Sequence, residues 1–152
     1  MRFRLLAIGR LSPGPIKALE AFYAGRITPP AAIVEREVRA RLPPPVLRAR
    51  EGALILAAVP AGAPLAALDE RGLSLSSRGF AERIAGWRAR GLAELAFAIG
   101  GADGLDPAVL DRAEMVLSLG PMTWPHRLAR VLLLEQLYRA QQILAGHPYH
   151  RE

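Results

Sequence analysis

Glu94-Leu95-Ala96-Phe97-Ala98-Ile99-Gly100-Gly101-Ala102-Asp103-Gly104-Leu105 is a short apolar run that stops on a glycine-rich break. Six apolar-rich residues are too few for a buried helix and fit a strand covered on both faces. Upstream, Leu65-Ala66-Ala67-Leu68-Asp69 has the same character, and Glu70-Arg71-Gly72 is expected to turn the chain away from it. Between the two runs, Ser76 or Ser77 can cap a helix to about Arg90, with Phe80, Ile84 and Trp87 on one face and Gly91 as its stop. Strand, helix and strand in that order make a βαβ unit and imply a parallel sheet.

The same pattern extends both ways. Downstream, Asp106 is placed as an N-cap with Pro107 at the first helical position, for a short helix to about Glu114. Met115-Val116-Leu117-Ser118-Leu119 reads as the last strand, and Pro125 can open a final helix to about Ala145, stopped by Gly146. Upstream, residues 2–9 read as a strand and Ile16–Arg26 as a helix. Residues 31–38 read as a more polar strand near an edge. The prolines at 43–45 are expected to sit in a loop before a helix from Val46 to Val59. The expectation is one α/β domain over residues 1–152.

With 152 residues, 51% of them hydrophobic, the chain can bury a sizeable core. Cysteine is absent, which excludes disulfides, thiolate metal sites and a cysteine nucleophile. The three histidines have no helical i, i+4 spacing, so no metal site is expected. No apolar run nears the ~18 residues of a membrane span, and the start does not look like a signal peptide. A cytoplasmic protein without a membrane partner is expected.

The formal net charge is +6, and 19 of the 20 basic residues are arginine. A basic surface attracts nucleic acid, but arginine excess also follows from a GC-rich genome. Arg36, Arg39, Arg41, Arg48 and Arg50 fall within fifteen residues. A solvated face and an RNA-phosphate contact both remain open for them.

In an open α/β sheet a ligand binds beyond the carboxyl ends of the strands. Three such ends, at Leu68, Gly100 and Leu119, could wall a flat pocket whose polar contacts are backbone groups. Gly100–Gly104 lacks both the G-x-G-x-x-G and the G-K-[ST] spacing, so an adenine ring suits this place better than a phosphate. His126 directly follows the Leu119–Trp124 loop. Glu135 on the last helix needs a partner, and Arg139 one turn on is the local candidate. The ending Tyr149-His150-Arg151-Glu152 puts a ring, an imidazole and a guanidinium in three residues.

Ile99-Gly100-Gly101-Ala102-Asp103-Gly104, Met122-Thr123-Trp124-Pro125-His126, Glu135-Gln136-Leu137-Tyr138-Arg139-Ala140 and the Tyr149-His150-Arg151-Glu152 ending together resemble the RlmH family. These are the ribosomal RNA large-subunit methyltransferases H of the SPOUT superfamily. Leu68-Asp69 and Ser76-Ser77 fit as well, and the resemblance is dense from about Leu65 to the end.

The resemblance implies a SPOUT-type α/β fold, a parallel sheet flanked by helices with a C-terminal trefoil knot. It implies a homodimer, S-adenosylmethionine as methyl donor, and methylation at N3 of a pseudouridine in 23S rRNA. By position, Leu68, Gly100, Leu119, Gly120, Pro121, Met122, Thr123 and Trp124 match cofactor-binding residues of the family. His126, Tyr149, His150 and Arg151 match residues of substrate binding and catalysis. Gly120-Pro121 departs from the more usual serine followed by lysine or alanine, which would stiffen the loop.

Two other readings stand beside this one. The first is a non-catalytic RNA-binding or ribosome-associated module of the same fold. The second is a small-molecule enzyme using an adenine nucleotide. The last helix, apolar at Leu128, Val131 and Leu132 on one side and at Leu133, Leu137 and Leu144 on another, is expected to need a second subunit to cover it. The tail after it is expected to be slack until RNA binds.

Overall fold

The computed structural model describes residues 1–150. Five strands form one parallel sheet in the order β2-β1-β4-β3-β5: β1 (Arg2–Ile8), β2 (Ala32–Arg36), β3 (Leu65–Ser74), β4 (Glu94–Ile99) and β5 (Met115–Ser118). The helices are α1 (Pro15–Arg26), α2 (Pro44–Ala58), α3 (Ser77–Ala89), α4 (Pro107–Arg112) and α5 (His126–Leu144).

Successive strand residues point to opposite faces, and each face has its own core. Phe3, Leu5, Leu95, Phe97, Ile99 and Ala66 pack with α1, α3 and α5 through Ala24, Phe80, Ile84, Leu133, Leu134 and Leu137. Leu6, Ile8, Leu65, Ala67, Ala96 and Ala98 pack with α2 and α4 through Ile55, Leu105 and Val109. Burial on both faces is why β1 and β4 read as nearly unbroken apolar runs. Strand β2 is at the edge, as its polarity indicates.

Local chemistry sets the element ends. Ser76 caps α3 by accepting from the Gly79 N–H at 3.0 Å, and Asp106 caps α4 by accepting from the Ala108 N–H at 3.0 Å. Helix α2 starts at Pro44, inside the run expected to be loop. A first turn has no use for the N–H that proline lacks. Helix α5 begins at His126 with Pro125 as its cap, one residue later than expected. Helix α4 ends at Arg112, short of Glu114, which instead takes bonds from Arg90 at 2.6 Å and Trp87 at 3.2 Å.

Strand β3 departs from the expected course. Residues 70–72 do not leave the sheet: Leu68 and Leu73 both align with Leu117 of β5, and the four residues between them bulge out. Asp69 holds the bulge by accepting from the Arg71 backbone at 2.9 Å and from its guanidinium. A Cβ on Gly72 would lie 2.6 Å from the carbonyl carbon and oxygen of Val116, so only glycine lets β3 return this close to β5. The Glu-Arg-Gly triplet that looks like a turn is therefore a bulge inside a longer strand.

Helix α5 is better covered by its own chain than expected. Val131, Leu133, Leu134 and Leu137 are buried within one chain. Leu128 and Leu132 are only half-buried, and Leu144 is exposed. No helix of the described residues is long and apolar enough to cross a membrane.

Candidate functional site

A parallel sheet sends every strand's carboxyl end to one edge, and there the chain leaves a cavity of about 520 Å³. Leu68, Ile99, Leu117, Leu119, Met122 and Trp124 give it apolar walls. Gly100 to Gly104 and Gly120 present backbone to it, and Arg48, Asp69, Arg71 and Asp103 bring charge to its rim.

The glycine-rich wall is a folded-back turn. Gly101 and Gly104 form an isolated bridge, and the Gly104 N–H donates to the Gly101 carbonyl at 3.1 Å. A Cβ on Gly100 would fall 2.6 Å from the carbonyl carbon and oxygen of Gly104. The absent side chain therefore makes room first for the turn itself. Behind Gly101 lies Glu51 of α2, buried, with its carboxyl pushed above the ordinary range by burial and by the charge of Asp103.

The facing wall is the Leu119–Trp124 loop. The Ser118 hydroxyl accepts from the Gly120 N–H and donates to the Gly120 carbonyl, both at 3.1 Å. The Trp124 indole N–H donates to the Leu119 carbonyl at 3.3 Å and folds the loop back on itself. Met122 is 73% exposed, so this wall is open to solvent at the mouth.

Of the residues singled out in the sequence, Leu68, Gly100, Leu119, Gly120, Met122, Thr123, Trp124 and His126 all line this one cavity. Pro121 is exposed beside it and is not part of the wall. Tyr149 and His150 do not line it: they follow the end of α5 and fold back onto that helix. The Tyr149 hydroxyl donates to Glu135 at 3.2 Å, and its ring packs edge-on to Tyr138 at 4.8 Å between centroids. Arg139 grips Glu135 at 2.6 Å and stacks over the Tyr149 ring at 4.9 Å. It also lies 3.4 Å from His150 Nδ1. Tyr149 is thus packed on α5 in the protein alone, not slack as expected. Arg151 lies outside the described residues.

Sequence reasoning missed Arg130. It is fully buried, the largest side chain so enclosed. Its guanidinium donates to the carbonyls of Ile8 at 3.1 Å and Gly9 at 2.6 Å, and to Glu35 at 2.9 Å and Glu20 at 3.4 Å. Burial pushes the Glu20 carboxyl up, against the pull of Arg130. Arg130 thereby fastens α5 to the end of β1, one turn from His126. The His126 Nε2 lies 4.0 Å from where a Cβ on Gly9 would stand. Burial, then the charges of Arg127 and Arg130, hold this imidazole below the usual histidine range. The available signal was an arginine four residues after His126, on the stripe that continues through Leu133, Leu134 and Leu137.

The family description "Predicted SPOUT methyltransferase" matches residues 1–150. A "Ribosomal RNA large subunit methyltransferase H" of Rhodospirillum centenum is 54% identical over 99% of both chains. One of Paramagnetospirillum magneticum is 49% identical over 99% of both. The chain belongs to the RlmH family of SPOUT methyltransferases. Its fold is the SPOUT-type α/β fold. A probable methylase family protein of Haemophilus influenzae has the same fold, with TM-score 0.57 at 14% identity, over 99% of this chain and 70% of that one. A putative methyltransferase of Legionella pneumophila, solved with SAM bound, superposes with TM-score 0.50 at 12% identity, over 92% of this chain and 66% of that one. Among the described residues of this SPOUT chain, no three His, Asp or Glu side chains are grouped to hold a metal ion.

Proposed function

We propose that this protein is an S-adenosylmethionine-dependent methyltransferase acting at N3 of a pseudouridine in 23S rRNA. The observation that carries the reading is the convergence of eight sequence-designated residues on one cavity, in a chain 54% identical end to end to a named rRNA methyltransferase. The donor fits the cavity: apolar walls at Leu68, Leu119, Met122 and Trp124 suit an adenine ring, and backbone groups of Gly100, Gly120 and Thr123 can meet its polar edge. Pro121 acts from outside the wall by stiffening the loop.

When bound, S-adenosylmethionine supplies an electrophilic methyl group. The chain orients the two reactants and removes a weakly acidic proton. His126, on the cavity wall, is assigned as the acceptor of the N3 proton, and burial with the charges of Arg127 and Arg130 lowers its pKa and so favours the neutral imidazole. Tyr149, His150 and Arg151 close the site on the RNA side, and they do so in the partner subunit. His126 and Glu135 are nine residues apart on α5, about 13 Å along its axis, and Tyr149 is tied to Glu135. A tail anchored there serves a second chain more readily than its own.

A homodimer is part of the same reading. Leu19 and Phe22 on α1 and Leu144 on α5 are exposed apolar groups on helices that pack together. The C-terminal trefoil knot of the family and a single cytoplasmic domain belong to the same reading.

Nucleoside analysis of 23S rRNA tests it. After incubation of unmodified ribosomes with protein and donor, digestion is expected to yield N3-methylated pseudouridine. Methyl groups only on ribose, or on another base, would overturn the assignment.

A further inference from the structure

The carboxyl edge of the sheet has two halves. The cavity occupies the half at β4, β3 and β5. The other half, beyond β1 and β2, carries Arg10 just after β1, Arg36 at the end of β2, and Arg39 and Arg41 in the following segment. All four are exposed. Arg10 and Arg39 have side chains 70% and 78% exposed, and they share a single carboxylate, Glu37, at 3.6 and 3.7 Å. Among the described residues, Arg36 donates only to a backbone carbonyl, that of Glu35. The Glu35 side chain is engaged by buried Arg130 and by the Leu11 N–H.

Two arginines at the opposite edge are each paired with a carboxylate. There Arg4 has its own carboxylate, Glu94, at 3.0 Å, and Arg90 has Glu114 at 2.6 Å. These two arginines are matched one to one. Those on the β1–β2 side are in excess over their carboxylates.

We propose that Arg10, Arg36, Arg39 and Arg41 form a track for the ribose-phosphate backbone flanking the target base. The track rests on the rRNA reading above and adds where the RNA lies. Guanidinium groups in a row suit a repeating anion that accepts two parallel hydrogen bonds per group. Arg48 extends the row to the cavity, where it lines the rim with its Nε buried and unpartnered among the described residues. Arg127, exposed in the first turn of α5, stands on the same side next to His126. A strand of RNA crossing β2 and β1 would arrive with a base at the cavity mouth. The contacts would position the RNA without reading its sequence.

The test is the salt dependence of binding to deproteinised 23S rRNA and to unmodified ribosomes. Each phosphate contact contributes about 0.7–0.9 to the slope of log K against log salt. For Arg39→Gln with Arg41→Gln, that slope is expected to drop by about 1.5, with roughly tenfold weaker binding near 0.15 M salt. Calorimetric affinity for S-adenosylmethionine should not change. Arg83→Gln with Arg88→Gln, on α3, is the control and should keep the wild-type slope.

An unchanged slope and affinity in the double variant would overturn the track. So would weaker binding to ribosomes with no loss on naked RNA, which would assign the arginines to a ribosomal protein. Wild-type protein that binds rRNA with the arginine-dependent slope but transfers no methyl group would overturn the enzymatic reading and leave the track standing.

Discussion

Arg130 donates a 2.6 Å hydrogen bond to the carbonyl oxygen of Gly9, 121 positions earlier in the chain. The bond joins the first turns of α5 to the end of β1 inside the protein. Removing the guanidinium takes a charged partner from Glu20 and Glu35 and a donor from two backbone carbonyls. Breaking a buried charged network from one side costs about 3–5 kcal/mol, so Arg130→Ala should lose that much in urea denaturation. Arg130→Lys keeps the charge without the fork and should lose less. The pH dependence should also change. The Glu20 carboxyl is raised in the folded state, so its contribution is fully present below the unfolded carboxyl range and is lost as pH rises through its folded value. Without Arg130 opposing that rise, Arg130→Ala should lose more stability than the wild type as pH rises above the ordinary carboxyl range. Equal slopes would remove Glu20 from the account.

His126 gives the second expectation. A base must be neutral to accept a proton, and the fraction neutral falls as pH falls through its pKa. Burial and the neighbouring arginines lower that pKa. The acid limb of kcat/KM should therefore lie below about 6.5, the ordinary histidine value. Arg127→Gln removes one of the neighbouring charges and should move the limb back up. A wild-type limb above 6.5 would point to another base.

The bulge in β3 gives the third. In Gly72→Ala the new methyl carbon would lie 2.6 Å from the Val116 carbonyl, so β3 and β5 must part. Overpacking of this kind costs about 1–3 kcal/mol, and a urea titration should show a lowered midpoint. Because Leu68 beside the bulge and Arg71 within it line the cavity, donor affinity should fall as well. A stable variant with normal affinity would mean that the bulge is soft.

Much of the fold could be read from short-range signals. The runs at 65–68 and 94–99 are buried on both faces, so composition alone marks them as strands. Ser76 and Asp106 announce their helices because a cap is local chemistry. The continuation of β3 to Ser74 could not be seen, since Gly72 is required by β5, more than forty residues away. The Arg130 network could not be seen either. Its partners come from β1, α1 and β2, and no local pattern says that an arginine will be enclosed. The strand ends at Leu68, Gly100 and Leu119 marked the cavity by the rule for open sheets, and the family resemblance supplied the rest of its wall. The docking of Tyr149 on Glu135 was not legible, because nothing local distinguishes a packed tail from a loose one.

The tail and the dimer can be tested together. Light scattering at micromolar concentration should give twice the chain mass. Deleting residues 149–152 should leave dimer and donor affinity nearly intact, because neither Tyr149 nor His150 lines the cavity, and should abolish methyl transfer. Mixed dimers of the deletion with Gly100→Val should regain part of the activity if one chain's tail completes the other's cavity. A monomeric wild type, or full activity of the deletion, would contradict the shared site.

The most direct measurement is single-turnover transfer of a labelled methyl group from S-adenosylmethionine to ribosomes that lack the modification, comparing the wild type with Gly100→Val. The valine side chain would collide with the Gly104 backbone and distort the wall of the cavity. The account expects label in 23S rRNA with the wild type, and loss of both donor binding and label with the folded variant. A wild-type protein that binds the donor but leaves rRNA unlabelled, or a Gly100→Val protein that transfers as well as the wild type, would contradict it.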